Sequence, residues 1–150
     1  MSSPQLAFTL DGLRTYLRHI FPQFWSSGTH EIEQIGPMSA RVRLKYHADH
    51  LRPGGTISGP AMFALADVAL YVAILAQIGR VPLAVTTNLN INFLRKPAPG
   101  DLIGEARLMK LGKRLAVGEV ALHSLGEAAM VAHATGTYSI PAHGEPNEVS

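Results

Sequence analysis

The chain of 150 residues has no cysteine, few aromatic residues and no long run of charge of one sign. Without cysteine there is no disulfide framework, no thiolate nucleophile and no zinc–thiolate site. Aromatic residues make up 7% of the chain and the net charge is +2, with the basic residues scattered, so no nucleic-acid partner is expected. The amino terminus lacks the basic start, the continuous apolar run and the small-residue cleavage site of a secretion signal. These absences predict a cytoplasmic protein.

Hydrophobic residues, by contrast, make up 47% of the chain, which is enough to bury a core without disulfides or metal. The length of 150 residues predicts one domain that covers residues 1–150. The longest apolar segment, PAMFALADVALYVAILAQI at residues 60–78, falls slightly short of the roughly 20 residues of a membrane span. An Asp near its centre would cost about 2.5–3.5 kcal/mol in a bilayer. We therefore interpret this segment as a core helix and expect no membrane partner.

Shorter patterns predict the elements that precede this helix. Leucine and isoleucine at helical spacing predict a short amphipathic helix at about residues 10–21, ended near Pro22. Alternation in EIEQIGPMSARVRLKYH predicts two strands hinged at the Gly36-Pro37 pair. The apolar face that these strands share consists of Ile32, Val42, Leu44 and Tyr46. Residues 47–59 are rich in turn formers and predict a loop that leads into the long helix.

Four further segments alternate or run apolar over the length of a strand: LAVTTNLNINFLRKP, DLIGEARLMKLG, RLAVGEVALHSLG and AAMVAHATGTYSIP. Short turns separate them, which predicts an antiparallel order. The sequence of a helix, two strands, a long helix and four strands predicts an α+β fold, in which one curved antiparallel sheet wraps around the central helix. The tail, residues 143–150, is predicted to be disordered.

The long helix carries one carboxylate, Asp67, in an otherwise apolar sequence. A helix that is apolar on every face is normally buried. Burying an ionised carboxylate costs free energy unless another group pairs with it or the carboxylate has a binding or catalytic role. Asp67 is therefore a candidate functional group. The alternative is a carboxylate that bonds a backbone amide or is solvated at the rim of an interface.

The start of the same helix is a second candidate site. Ser58 is a capping hydroxyl, Gly59 allows close approach, and Pro60 stands where its missing N–H costs least. Free N–H groups and the positive end of the helix dipole can polarise a carbonyl that gains negative charge. Asp67 lies eight positions after Gly59, about 12 Å along a helix, so one chain does not easily bring both to one carbonyl. Two copies of the helix packed antiparallel would bring Asp67 of one chain and Gly59 of the other to the same carbonyl. This predicts a dimer, or a dimer of dimers, with shared sites.

Several of these segments together resemble one known family. GGTISGPAMFALADVA, TTNLNINFLRKPAPGD, KLGKRLAVGEV and ATGTYSIP, in this order and spacing, are similar to the hotdog-fold acyl-CoA thioesterases of the phenylacetate-degradation (PaaI-like) family. The resemblance covers about residues 46–141. It implies a hotdog fold and the hydrolysis of an aromatic or medium-chain acyl-CoA to free acid and CoA. CoA is then part of the substrate, and no other cofactor is expected.

The family pattern also implies roles for residues of this chain. The family has His-Gly-Gly at the helix start and an acidic residue nine positions after the His. Ser58 falls at the His, Gly59 at the glycine whose N–H polarises the thioester, and Asp67 at the catalytic carboxylate. Asp67 would act as a general base on water or as a nucleophile. An Asn six residues before the family His falls on Arg52, and a Ser or Thr that helps to place the water falls near Thr86.

Three positions depart from the family pattern. Ser58 has no imidazole, Arg52 cannot act as an amide acceptor, and Pro60 removes one N–H from the helix start. Because Gly59 and Asp67 are kept, we expect the hydrolytic core to survive with a changed choice of substrate. Arg52 would then bind an anionic group or bond Asp67 across the interface.

Five basic residues are candidates for binding the phosphates of CoA: Arg95, Lys96, Lys110, Lys113 and Arg114. The last three flank a predicted turn between two strands. The alternative for each is a solvated strand end.

Other chemistries have less support in the sequence. The histidines never form a two-ligand helical pattern with a carboxylate, so no metal site is predicted. They are His19, His30, His47, His50, His123, His133 and His143. Ser58 lacks the Gly-x-Ser-x-Gly elbow of a nucleophile. Two alternative functions stay open: a non-catalytic acyl-CoA or lipid-binding protein, and a hotdog dehydratase or hydratase in which His50 would pair with the carboxylate.

Overall fold

The computed structural model describes residues 5–142 and confirms the predicted hotdog fold of the α+β class. The helices are α1 (Leu10–Ile20), α2 (Pro22–Trp25) and α3 (Gly59–Ile78), with a 3₁₀ turn at Ala48–His50. The strands are β1 (His30–Gly36), β2 (Ser39–Leu44), β3 (Val85–Phe93), β4 (Leu102–Leu111), β5 (Leu115–Ser124) and β6 (Met130–Ser139). Within the described residues they form one antiparallel sheet in the order β1-β2-β4-β5-β6-β3. The predicted disordered tail, 143–150, lies outside the described residues.

The helix α3 is the core of the fold. It is long and apolar enough to cross a membrane by length and composition, but 67% of its apolar window is buried inside the protein. Leu70 packs where Gly118 of β5 pairs with Gly136 of β6. A Cβ atom at these glycines would lie 2.7 Å and 2.8 Å from the Leu70 methyl groups. Glycine at this pair therefore allows the helix to approach the sheet closely.

The helix α1 packs its apolar face against the domain. Leu13 and Leu17 are fully buried, and Thr9 caps the first turn by accepting the Gly12 N–H at 3.0 Å. The Arg14 guanidinium donates to the Ile32 carbonyl oxygen at 2.6 and 3.0 Å, which ties α1 to β1. The short helix α2 was not predicted, because a proline that ends one helix can also begin the next.

The hairpin of β1 and β2 differs from the predicted hairpin at one residue, Tyr46. Ile32 pairs with Val42, and both are buried with Leu44, as predicted. The prediction that Tyr46 shares this face is wrong, since β2 ends at Leu44 and Tyr46 is 45% exposed. Its N–H donates to the Asp101 carboxylate at 2.7 Å, which draws the chain off the sheet.

The strand β3 forms an edge of the sheet and pairs only with β6. Leu94, just past its end, donates its N–H to the Val131 carbonyl oxygen at 2.8 Å. Because hydrogen-bonded and non-bonded positions alternate in an antiparallel pair, the N–H groups of Leu89, Ile91 and Phe93 point to the open side. The edge is therefore a row of unused backbone donors and acceptors.

Candidate active site

Asp67 lies where α3 passes the first residues of β3 and the last residues of β6. Thr86 and Tyr138 are opposite each other in the pairing of these strands, so both side chains reach the same carboxylate. Thr86 Oγ1 donates to Asp67 Oδ1 at 2.7 Å. The Tyr138 hydroxyl donates to the same oxygen at 2.5 Å and lies 2.9 Å from the Asp67 carbonyl oxygen. The carboxylate is thus fixed from two neighbouring strands.

Both hydrogen bonds use one oxygen of the carboxylate. Asp67 Oδ2 has no hydrogen-bond partner among residues 5–142, and the side chain is half-buried. An oriented carboxylate oxygen with free lone pairs can accept a proton from a water molecule or attack an electrophile.

Tyr138 was missed by the sequence analysis. It is 3% exposed, and burial raises the pKa of its hydroxyl, which the adjacent Asp67 charge and hydrogen bond raise further. The phenol therefore stays protonated and serves Asp67 as a donor. The segment ATGTYSIP was part of the resemblance, but its role depends on which strand lies beside β6. The pairing of Thr86 with Tyr138 in the structure identifies it, and no local sequence signal does so.

A pocket of about 650 Å³ opens beside the carboxylate and is called the Asp67 pocket here. It lies between α3, the elbow of α1 and α2, and the start of β3. It is lined by Ile20, Phe21, Phe24, Ala64, Asp67, Val68, Tyr71, Pro82, Leu83, Ala84, Val85, Thr86 and Tyr138. This lining is mostly apolar with few polar groups, as in small-molecule sites. The pocket can hold an apolar group next to Asp67.

The start of α3 offers one free backbone donor. The helix begins at Gly59, one residue before the predicted start, and the Ser58 hydroxyl accepts the Ala61 N–H at 3.3 Å. Met62 N–H donates to the Ser58 carbonyl oxygen at 3.1 Å, and Pro60 has no N–H. The Gly59 N–H has no hydrogen-bond partner among the residues that the structure describes. It stands at the positive end of the helix dipole.

Gly59 borders a second pocket, of about 330 Å³, called the Gly59 pocket here. Arg95 and Lys96, two of the five predicted phosphate-binding residues, also line this pocket, together with Arg52. All three are exposed, and none forms an ion pair within residues 5–142. The structure therefore brings a free N–H and three cations together.

The two pockets are separate in one chain. Asp67 and Thr86 line the first, whereas Gly59 and Arg52 line the second. A Cβ atom on Gly59 would lie 3.4 Å from the ring of Phe93, at the opposite end of β3 from Thr86. Because α3 runs without a break from Gly59 through Asp67, helix geometry sets the two residues about 12 Å apart along its axis.

The five predicted phosphate-binding residues lie at two opposite ends of the sheet within one chain, so their common role in binding CoA stays a prediction. The turn with Lys113 and Arg114 lies beside the end of β6, where Ile140 N–H donates to the Arg114 carbonyl oxygen at 2.8 Å. Lys110 is exposed on β4 near the same turn. The start of β3 lies at that same end of the sheet, whereas Arg95 lies just past the other end of β3. About 27 Å of extended strand separates the two ends.

The remaining candidates lie apart from Asp67. His50 lines a third pocket of about 350 Å³, the histidine pocket, together with Ser58 and Pro60. It does not line the Asp67 pocket, so no histidine pairs with the carboxylate there. In residues 5–142, no group of three or more His, Cys, Asp or Glu side chains is arranged to hold a metal ion.

Comparison with known proteins gives consistent matches. The family model described as "Thioesterase superfamily" matches residues 54–131. The crystal structure of a candidate thioesterase from Silicibacter sp. TM1040 is 51% identical, with a TM-score of 0.84 over 93% of this chain and 96% of that chain. A mutant structure of the phenylacetic acid degradation protein PaaI from Thermus thermophilus is 28% identical, with a TM-score of 0.69 over 79% of this chain and 99% of that chain. A candidate esterase of Pseudomonas aeruginosa is 32% identical over 119 residues, 73% of this chain and 87% of the relative.

Proposed function

This chain belongs to the thioesterase superfamily, and from that membership we propose that it hydrolyses an aromatic or medium-chain acyl-CoA to free acid and CoA. Relatives described as thioesterases and esterases support thioester hydrolysis in general. The observation that carries the proposal is Asp67, whose Oδ2 has no partner among the described residues while Oδ1 is held by Thr86 and Tyr138 beside a mostly apolar pocket. CoA is part of the substrate, and the proposal needs no other cofactor. We place the reaction in the cytoplasm.

The proposed reaction uses a water molecule and the two candidate groups. Asp67 Oδ2 takes a proton from water as the water oxygen attacks the thioester carbonyl carbon. The carbonyl oxygen gains negative charge, and a Gly59 N–H stabilises it. The C–S bond then breaks, and CoA leaves as a thiolate that takes up the proton. Direct attack by Oδ2 would give the same products through an anhydride.

Because Asp67 and Gly59 of one chain border different pockets, we propose that each site is shared between two subunits. The open edge of β3 supports this arrangement, since antiparallel pairing with the same strand of a second copy would continue the sheet about a two-fold axis. Gly59 packs beside Phe93 at one end of the strand, and Asp67 bonds Thr86 at the other. The two-fold axis exchanges these ends and sets Gly59 of the partner subunit beside Asp67. A dimer, or a pair of such dimers, would form complete sites.

The proposed dimer would also bring the basic residues of the two subunits together. In the proposed dimer the Lys113–Arg114 turn of one subunit faces Arg95 and Lys96 of the partner subunit. Lys110 lies near the turn, and Arg52 borders the Gly59 pocket. We propose that these cations bind the phosphates of CoA while the acyl group enters the Asp67 pocket.

The proposal is tested by replacing the carboxylate. CoA thiol release from phenylacetyl-CoA and octanoyl-CoA should fall by at least about a hundredfold in kcat for Asp67→Asn. The control is Asp11→Asn, which removes an exposed carboxylate on α1 and should keep wild-type turnover. Turnover in Asp67→Asn equal to the wild type would contradict the proposal.

The non-catalytic binding protein is a second candidate, because Ser58, Arg52 and Pro60 replace residues of the family pattern. Calorimetry separates the two. A protein that binds octanoyl-CoA and releases no CoA over hours is a binding module, and in that case Asp67→Asn would not change turnover. A dehydratase receives no support from the structure, since His50 lies outside the Asp67 pocket.

A further inference from the structure

His30 and His50 both line the histidine pocket, which lies between α2, β1 and the start of α3. The pocket has a volume of about 350 Å³ and is lined by Phe24, His30, Leu44, Asp49, His50, Ser58, Pro60, Ala61 and Ala64. His30 is 9% exposed. Nε2 of His30 and Nδ1 of His50 are both buried without a hydrogen-bond partner among the described residues. Both residues line this pocket, and because an unmet buried polar group is costly, a polar ligand within reach of the two rings would be stabilised.

The histidine pocket adjoins the Asp67 pocket. Phe24 and Ala64 line both, and Phe24 stacks on the His30 ring with 4.4 Å between the ring centroids. Ala61, Ala64 and Val68 lie at spacings of three and four residues, on one face of α3. A chain that starts at Asp67 and follows this face reaches the histidine pocket after about two helical turns, roughly 9 to 11 Å. This is the length of a medium-chain acyl group.

The surroundings select the chemistry of the ligand. Burial, and then the nearby His50, lower the pKa of His30 to about 4, so its imidazole is neutral near pH 7. A neutral imidazole has one N–H donor and one acceptor nitrogen. Asp49 lines the same pocket and disfavours a second carboxylate there. A hydroxyl group, which both donates and accepts, fits the neutral His30 imidazole and the second imidazole, His50, that lines the same pocket. The χ2 torsion of histidine is broad, so a small ring rotation can aim a nitrogen into the pocket.

We propose that His30 and His50 form a subsite that binds a hydroxyl group at the far end of a medium-length acyl chain. The subsite rests on the thioester hydrolysis proposed above, since it extends the pocket beside Asp67. It makes the protein selective for acyl-CoAs that carry a distal hydroxyl over those that end in a methyl group.

The first test compares ω-hydroxyoctanoyl-CoA with octanoyl-CoA. With the subsite, kcat/KM for the hydroxylated substrate should be about tenfold higher. Without partners in the pocket, a buried hydroxyl would be penalised, so octanoyl-CoA would be the better substrate. Equal values, or a preference for octanoyl-CoA, would overturn the subsite.

The second test removes the imidazoles. His50→Leu should abolish the preference for the hydroxylated substrate while octanoyl-CoA turnover continues, and His30→Phe should do the same. The control His19→Leu makes the same substitution at an exposed position of α1 that lines none of the three pockets, and it should keep the preference. If circular dichroism shows that His30→Phe does not fold, His50→Leu decides. A preference that persists in His50→Leu would overturn the subsite.

Binding measurements separate this inference from the proposed function. Calorimetry on the Asp67→Asn variant compares the two acyl-CoAs without turnover. Tighter binding of ω-hydroxyoctanoyl-CoA supports the subsite even if the wild type hydrolyses neither compound, whereas equal binding overturns it even if the wild type hydrolyses both.

Discussion

At the scale of single residues, the orientation of Asp67 is the feature that matters most. Its Oδ1 accepts hydrogen bonds from Thr86 at 2.7 Å and from Tyr138 at 2.5 Å. Two donors on one oxygen fix the plane of the carboxylate and leave Oδ2 open to the pocket. Charge-assisted hydrogen bonds of this kind are stronger than neutral ones. In the proposed reaction, Tyr138 is therefore a positioning residue, which acts through Asp67.

Replacing Tyr138 by Phe should slow the reaction while substrate binding is kept. The variant removes the 2.5 Å donor to Oδ1, so the carboxylate loses one of its two fixed contacts. We expect kcat to fall about tenfold with little change in KM, and the free energy of unfolding to fall by about 1–2 kcal/mol. Steady-state kinetics and urea unfolding measure the two effects.

A matched phenol in the same pocket provides the comparison. The Tyr71 hydroxyl donates to the Pro82 carbonyl oxygen at 2.9 Å and makes no hydrogen bond with Asp67. Tyr71→Phe should therefore cost similar stability with a much smaller effect on kcat. Equal losses of kcat in both variants would show that the pocket needs rigid walls in general, and would remove the special role of Tyr138.

At the scale of elements, the proposed dimer depends on the open edge of β3. Asn88 and Asn90 are exposed near the middle of this strand. In an antiparallel pair of β3 strands, lysines at both positions would set four cations close to the two-fold axis. Like charges opposite each other destabilise a strand pair. We expect the Asn88→Lys, Asn90→Lys double variant to be a monomer in analytical ultracentrifugation and to lose thioesterase activity.

The other edge of the sheet supplies the control. Gln34 is exposed on β1, the edge strand far from β3, so Gln34→Lys adds charge to an edge that the proposed dimer does not use. It should keep the assembly state and activity of the wild type. A lysine double variant that is monomeric and fully active would show that one chain forms a complete site.

Elements with clear local signals were predicted well from the sequence. Ser58 and Gly79 mark the ends of α3, and the observed helix runs from Gly59 to Ile78 between them. The four strands after α3 were also predicted, because each is alternating or apolar and is bounded by turn residues. The helix α2 is not predicted, because the sequence signal of Pro22 is the end of α1, whereas Pro22 is also the first residue of α2.

The site was predicted less completely, since part of it depends on contacts between distant segments. Asp67 stands out within an apolar helix, and the family pattern indicated Gly59 and Thr86. Tyr138 reaches Asp67 only because β6 lies beside β3, and no local pattern encodes that neighbour. The separation of the basic residues likewise follows from the strand order.

At the scale of the whole molecule, His30 couples the stability of the fold to pH. Burial first, and then the neighbouring His50, lower its pKa to about 4, against about 6.5 in an unfolded chain. His30 lines the histidine pocket with Asp49 and His50. It also lines a further pocket of about 280 Å³, whose other ionisable groups are Arg14, Arg18, Glu31 and Lys45. Between these two pKa values the unfolded state binds more protons, so the free energy of unfolding falls as the pH falls. The full contribution of His30 to the free energy of unfolding is present above about pH 6.5 and is lost as the pH drops toward 4.

Glu33 affects the stability of the fold in a lower range of pH than His30 does. Burial opposes the shift, but hydrogen bonds from Arg41 and Arg43 lower the pKa of this carboxyl group. Its contribution to stability is present above the ordinary pKa of about 4.3 and is lost as the pH falls through the lowered value. A loss of stability above about pH 4.5 therefore does not come from the Glu33 carboxyl group.

The different pH ranges of His30 and Glu33 lead to the last prediction. Between pH 7 and pH 5 the free energy of unfolding of the wild type should fall by about 2 kcal/mol through His30. His30→Gln has no group that titrates in this range, so its urea midpoint should change less between the two pH values, although the variant is less stable at pH 7 because the glutamine fits the cavity poorly. His19→Gln removes an exposed imidazole and should keep the wild-type slope. If His30→Gln loses as much stability on acidification as the wild type, another group controls the acid response, because a buried imidazole with a pKa near 4 cannot be removed without flattening the curve.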